Sequence, residues 1–231
     1  MSEGFEKYCF PDGKRYNSFV GYFKMKYGER LQKIVLDAGF TCPNRDGTLG
    51  HNGCIFCSAG GSGDFASHGI SIREQLENGK ALFREKKIGN RFIAYFQSFT
   101  NTYGPLERLR KLYWEAIAPD DIVGIAIGTR PDCLGDDVIA LLAEVNRVKP
   151  VSIELGLQTI HESTARYIRR GYPTAVYDDA VRRLKAAGLE VVTHIILGLP
   201  GETPEMMAET TRQVCRAGTD GVKFHLLHVL R

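Results

Sequence analysis

The 231-residue chain reads as an α/β protein, a partial (β/α)6 TIM-like barrel with a short N-terminal extension. Three observations predict this. From Leu31 onward, short apolar runs alternate with amphipathic segments, the pattern of parallel strands joined by crossover helices. The better-defined runs have one aliphatic face and one polar or small face. A loop crowded with cysteine and glycine then follows the first run, at the strand end where barrel enzymes place their chemistry.

Residues 1–30 are the extension and residues 31–231 the barrel. "LQKIVLDAGF" (31–40) gives the first strand and its exit into the cysteine loop. "RFIAYFQ" (91–97), "IVGIAIG" (122–128), "VSIELGLQ" (151–158), "LEVVTHIILG" (189–198) and "GVKFHLLHVL" (221–230) give five more. Between them, 105–118 and 136–148 place apolar residues at helical spacing. The helix over 174–188 is expected to start at a Thr174 N-cap and to end at Gly188. The one over 203–218 has Thr203 as cap and Pro204 at its first position.

The strand faces separate a barrel from an open sheet. Side chains alternate across a strand, so Ile153, Leu155 and Leu157 share one face and Ser152, Glu154, Gly156 and Gln158 the other. Likewise Gly124, Ala126, Gly128 and Arg130 oppose Val123, Ile125 and Ile127. An open sheet covered on both sides would be apolar on both. A roomy, polar face suits a barrel lumen that holds a cofactor. An unpaired carboxylate there is costly, so Glu154 is expected to pair with Arg130 or with a cofactor group.

Composition is that of a globular chain, 43% hydrophobic and 25% charged, with a mild net charge of +3 that permits a nucleic-acid partner without requiring one. No apolar run reaches the roughly 18 residues of a membrane span, and the N-terminus lacks a signal-peptide core. A cytoplasmic location follows, where clustered cysteines are metal ligands or catalytic groups rather than disulfides. Cys9, Cys133 and Cys215 stand apart and read as small packed hydrophobes.

"FTCPNRDGTLGHNGCIFC" (40–57) holds Cys42, Cys54 and Cys57 in a C-x11-C-x2-C spacing. Zinc staples and ordinary iron–sulfur clusters want four ligands. On spacing alone two readings stand: a zinc site with His51 or a distant residue as fourth ligand, or a four-iron cluster with one iron left open for chemistry.

The three cysteines after strand one, Phe56 beside the last of them and the six-strand order resemble the radical S-adenosylmethionine (SAM) superfamily. "IELGLQT" (153–159) and "HIILGLPGET" (194–203) resemble its coproporphyrinogen oxidase and Elongator branches, and "TRPD" (129–132) the Elongator catalytic subunit. "RYNSFVGYFKMKYGERLQKIVLDAGFTCPNRDG" is similar to the YhcC/YtqA-type family, also called MnmL, tied to maturation of the tRNA wobble uridine.

The resemblance implies a radical SAM enzyme. Cys42, Cys54 and Cys57 would hold a [4Fe-4S] cluster whose fourth iron chelates SAM, the fourth ligand being the cosubstrate. Phe56 would lie near the adenine; Gln97, Ser98 and Thr100 would face the methionine amino group, although the glycines of many relatives are absent there. Gln158 and Arg170 fall at ribose- and carboxylate-binding positions, and His194 where the coproporphyrinogen oxidase branch has an acidic adenosine-binding residue. Arg130 and Glu154 are further cofactor contacts, while Gly128 replaces an Elongator glutamate. An electron donor such as flavodoxin or ferredoxin is implied. The substrate implied is tRNA, with a carboxymethylaminomethyl group on the wobble uridine converted to aminomethyl; a small-molecule or peptide substrate is the alternative. Arg166, Arg169, Arg170, Arg182, Arg183 and Lys185, with Tyr167, Tyr172 and Tyr177, offer a phosphate and stacking surface or an ordinary solvated helix face.

Overall fold

A computed structural model of the chain describes residues 10, 12–58, 70–86 and 89–227. Six strands form a single sheet in sequence order, every neighbour parallel: β1 (Gln32–Leu36), β2 (Phe92–Phe96), β3 (Ile122–Thr129), β4 (Val151–Gln158), β5 (Glu190–Leu197) and β6 (Gly221–Leu226). The crossovers carry α2 (Ile72–Glu85), α3 (Leu106–Ile117), α4 (Asp136–Asn146), α6 (Thr174–Ala186) and α7 (Pro204–Arg216), with α1 (Phe19–Tyr27) before β1 and a short α5 (Glu162–Tyr167) after β4. This is the expected half-barrel. Cys9 and the last residues of the sixth run lie outside the described residues. No helix among the described residues is long and apolar enough to cross a membrane.

The two strand faces separate as their alternation requires. Ile34, Leu36, Phe96, Ile127, Ile153, Leu155 and Leu157 join the helices in one buried core. On the opposite, lumen side, α1 inserts Phe23 against Leu31, Ile93, Tyr95 and Ala126. Tyr22 and Lys26 of α1 both donate to Glu190 Oε2, at 2.5 and 2.9 Å, tying the helix to the start of β5.

Two local expectations are corrected. Val123 lies on the lumen side, packed against the Phe23 cluster, because the β2–β3 register slips between Phe92 and Ile93. Such a bulge turns one extra residue across the sheet. Thr174 is the first residue of α6 and Pro173 its cap. The Thr174 hydroxyl instead donates to the Ile160 carbonyl at 3.3 Å and accepts from Arg170 Nη2 at 3.2 Å. Thr203 does cap α7, accepting from Met206 N–H. Gly188 follows α6 with φ +74°, the left-handed geometry of a helix stop.

Helix α2 went unrecognised in the sequence, although Ser71 and Glu74 form a reciprocal capping box at its start. Mid-helix Gly79 lets it ride close on β1: a Cβ there would lie 2.4 Å from Ile34 Cγ2. Gly79→Ala in an exposed helix would gain about 1 kcal/mol. Here overpacking reverses the sign, and the expected outcome is a loss of about 1–3 kcal/mol, read as a lower midpoint in thermal unfolding.

Candidate functional site

The loop from β1 to α2 begins with a compact, hydrogen-bonded knot. The Cys42 carbonyl accepts from Arg45 N–H at 2.7 Å and Asp46 N–H at 3.1 Å, and Cys57 N–H donates to the Cys54 carbonyl at 3.1 Å. Gly53, with φ +67°, lets Arg45 fold across the loop, since a Cβ there would sit 2.9 Å from Arg45 Nε. The Arg45 guanidinium then reaches the carbonyls of Ser58, at 2.5 Å, and Cys57, at 3.3 Å. Buried Asn44 locks the knot to the far side of the barrel mouth. Its amide nitrogen donates to Cys54 Sγ at 3.3 Å and to the carbonyls of Arg169 and Arg170 at 2.8 and 3.0 Å.

The knot faces a cavity of about 350 Å3 at the C-terminal ends of the strands. Cys42, Cys54, Cys57, Phe56, Gln97, Thr100, Arg130, Glu154, Gln158, Arg170 and His194 all line it. Ser98 does not. It is fully buried, and its hydroxyl has no hydrogen-bond partner. His51 also lies outside the lining, packed beside Gly47. Among the described residues no three His, Cys, Asp or Glu side chains close on a point that one metal ion could occupy.

Backbone strain gathers at this mouth. Among the described residues, the non-glycine positions with positive φ are Phe99 at 60°, Gln158 at 68° and Arg169 at 56°. Phe99 and Gln158 line the cavity, and the Arg169 carbonyl touches the Cys54 thiol at 3.5 Å. Such conformations persist where surroundings over-determine them and cluster at functional sites. Gln158 owes its turn to a slip in the β4–β5 register between Gly156 and Gln158.

The two cavity arginines are held differently. Arg130 makes a two-point pair with Asp132, at 2.9 and 2.7 Å, donates to the Arg170 carbonyl at 2.9 Å and stacks on Tyr172. Arg170 is 1% exposed; its guanidinium donates to the carbonyls of Leu157, Thr159 and Tyr172 and to Thr174 Oγ1. It pins the end of β4 and the turn into α6.

Beneath the mouth, Glu154 has a different set of partners from the expected one. Arg130 is turned to Asp132, and Glu154 is instead paired with Lys33 of β1 and Lys223 of β6. Tyr95 Oη and His194 Nε2 lie 2.6 and 2.7 Å from Glu154 Oε2. The reason is the lumen itself, which lets side chains from strands far apart in the sheet converge. Burial alone would raise the Glu154 carboxyl. The His194 hydrogen bond and the Lys33 and Lys223 charges outweigh it and hold the group well below the usual carboxylate range. Burial pulls His194 below its ordinary value, and burial with the nearby His194 and Lys223 takes His225 down to about 4. With both rings neutral, His194 gives its Nε2–H to Glu154 and accepts at Nδ1 from His225 Nε2, 3.2 Å away. The chain ends on the His225 Nδ1 lone pair.

Lys33, Asn44, Arg45, Tyr95, Lys223 and His225 were missed in the sequence, and Tyr172, read there as a surface stacking residue, is buried against Arg130 and Arg170. A signal existed for four of them: Lys33, Tyr95, Lys223 and His225 sit at polar, period-two positions inside otherwise apolar strands. Nothing local marks Asn44 or Arg45, whose roles depend on the loop's path.

The Cys54 thiol sits in a field that favours its anion. It falls to about 6, first through its hydrogen bond with Cys57, then through Asn44, with Arg130 and Arg45 adding positive charge. The same bond raises Cys57. Three thiols, a neutral N–H donor and two guanidinium groups around one cavity suit an anionic, sulfur-ligated cluster.

Of the two readings of the basic residues around α6, the structure favours the ordinary solvated face over a phosphate surface, since their charge is largely neutralised. Arg182 pairs with Asp179, Arg183 with Asp136 and Lys185 with Asp220, and Tyr172 and Tyr177 are buried.

Residues 47–214 match the Radical SAM superfamily. The chain is 47% identical to YtqA of Bacillus subtilis (strain 168) over 219 residues, covering 94% of this chain and 68% of that protein. It is 30% identical to the tRNA uridine(34) acetyltransferase of Methanocaldococcus jannaschii over 92 residues, 40% of this chain and 16% of that protein. Among solved structures, the archaeal Methanocaldococcus infernus Elp3 aligns with a TM-score of 0.59 at 16% identity, over 85% of this chain and 45% of that chain, a likeness of fold.

Glu154→Gln leaves two lysines around a neutral amide. The expected loss is about 3 kcal/mol, roughly 6–12 °C in melting temperature for a chain of this size. A depressed carboxyl contributes stability above its unfolded value and loses it as pH falls through the folded one. The gap between wild type and variant should therefore narrow as pH drops below 4.5, which calorimetry over a pH series checks.

Proposed function

The chain belongs to the radical SAM superfamily and to the YtqA-type family within it, enzymes that work with a [4Fe-4S] cluster and SAM, and we propose that Cys42, Cys54 and Cys57 hold that cluster. The observation that carries this is the thiol set: Cys42, Cys54 and Cys57, all from one loop, open on one cavity. When bound, the cluster supplies one electron to SAM, and the resulting 5′-deoxyadenosyl radical takes a hydrogen from the substrate.

The chain's own residues orient and shield. Asn44 and Arg45 fix the loop and offset the thiolate charge. Phe56, Gln97, Thr100, Gln158 and Arg130 border the space that SAM would fill. Ser98 would act from beneath the surface, and Arg170 by holding Gln158 and the Arg169–Arg170 carbonyls in place. His194 and Glu154 form the wall below, linked by their hydrogen bond.

The substrate class is tRNA. It rests on the YtqA-type membership, on the partial match to a tRNA uridine(34) acetyltransferase and on the Elongator-like "TRPD" at the end of β3. The reaction proposed is conversion of a carboxymethylaminomethyl group on the wobble uridine to aminomethyl. Hydrogen abstraction from the carbon between the amine and the carboxylate, loss of one further electron to an acceptor of the iron–sulfur class and hydrolysis of the resulting imine by water would release the two carboxymethyl carbons as glyoxylate.

Two outcomes are expected. Alanine at Cys42, Cys54 or Cys57 abolishes iron and sulfide uptake on anaerobic reconstitution, whereas Cys215→Ala, at a cysteine that the structure leaves exposed rather than packed and outside the cavity lining, retains it. Reconstituted protein with SAM, a reductant and tRNA carrying the modified uridine forms 5′-deoxyadenosine and shifts the wobble nucleoside to the aminomethyl mass. Deoxyadenosine without any nucleoside change would leave the radical enzyme and remove tRNA as its substrate.

A further inference from the structure

A cluster held by Cys42, Cys54 and Cys57 has to be reduced from outside, and the surface around Cys54 differs from the basic face of α6. The α5 helix and the turn after it lie directly on the cysteine knot: Ile55 N–H donates to the Ile168 carbonyl at 3.2 Å, and the Cys54 thiol contacts the Arg169 carbonyl at 3.5 Å. Arg169 is one of the left-handed residues, and this backbone directs its carbonyl at the thiol while its side chain stays exposed. Beside it, Arg166 is exposed, Tyr167 is 58% exposed and Ile55 48% exposed.

The charges here differ from those of α6. Arg182, Arg183 and Lys185 each contact an aspartate. Neither Arg166 nor Arg169 makes an ion pair among the described residues; Arg166 only lends its field to Glu162, one turn back. Two exposed guanidinium groups without an ion pair, a tyrosine and an isoleucine therefore lie beside a bonded path from the surface to a cluster ligand.

We propose that Ile55, Arg166, Tyr167 and Arg169 form the docking surface for a small acidic one-electron carrier, with the Arg169 carbonyl and the Cys54 sulfur as the entry to the cluster. This rests on the cluster assignment above. The patch has the character of a transient electron-transfer contact, small and steered by charge. An RNA face would need a longer basic stripe, and the arginines that would extend it along α6 are already paired.

The test uses the reconstituted full chain and reduced flavodoxin as the probe. The double variant R166E/Y167E, which leaves the Arg169 backbone contact to Cys54 untouched, should slow cluster reduction by flavodoxin about tenfold or more at low salt and weaken its dependence on ionic strength. Cluster content, reduction by dithionite and 5′-deoxyadenosine formed per dithionite-reduced cluster should stay at wild-type levels. Binding is read independently by titrating 15N-labelled flavodoxin with wild-type and variant protein, where the shifts seen with wild type should vanish. Unchanged flavodoxin kinetics and shifts would overturn the proposal. So would a variant that keeps flavodoxin reduction but loses tRNA binding, which would make the patch an RNA surface. A wild-type chain that takes up no cluster would refute the assignment beneath it, and a chain with a cluster but no tRNA activity would leave the docking test intact.

Discussion

One side chain joins the two halves of the site. The Asn44 amide bridges the cysteine knot and the turn after α5, donating to Cys54 Sγ on one side and to two consecutive carbonyls on the other. Together with the Ile55 N–H bond to the Ile168 carbonyl and the Cys54 contact with the Arg169 carbonyl, that bridge fixes the loop after β1 against the turn that follows β4, so that the thiols share a cavity with Gln158, Arg130 and Arg170. The strained residues fit the same constraint. Arg169 adopts its left-handed backbone to present a carbonyl to Asn44 and Cys54, and Gln158 adopts its own at the register slip that ends β4. Local cost is accepted where the mouth has to be shaped, and the regular sheet below offsets it.

Below the mouth the controlling interaction is electrostatic. A half-barrel lumen takes polar side chains out of bulk water, so each needs partners. Glu154 answers for Lys33, Lys223, Tyr95 and His194 at once, drawing β1, β2, β5 and β6 to β4. The hydrogen bond to His194 passes on to His225 and sets the tautomers of both rings. The floor of the cavity is thereby a connected polar network rather than a set of separate contacts, a class of arrangement that rigidifies when fully satisfied.

The fold was legible because alternation in a strand is a strong, local signal. "VSIELGLQ" separates its aliphatic and polar faces in the structure as it does in the sequence. Val123 escaped because a bulge belongs to the pairing of two strands and leaves no mark on either alone. Thr174 was misplaced by one residue because its hydroxyl found partners in Arg170 and Ile160 that lie outside the helix. Of the candidate site, the cysteines and most of the neighbouring positions could be picked from motifs that resemble a known family. The cations and imidazoles of the floor could not: pairing Glu154 with Lys33 spans 121 residues of chain, and only closure of the sheet brings them together. The α6 arginines failed in the opposite direction, their charge being visible in sequence and their aspartate partners not.

The central claim is that the loop supplies three ligands and leaves one iron for SAM. Electron paramagnetic resonance of the dithionite-reduced, anaerobically reconstituted protein, recorded with and without SAM, tests it most directly. A reduced-cluster signal that shifts when SAM is added is the expected result, since SAM would take the position that Cys42, Cys54 and Cys57 leave open. A reduced-cluster signal that stays unchanged at saturating SAM would contradict it, because the fourth position would then already belong to the protein.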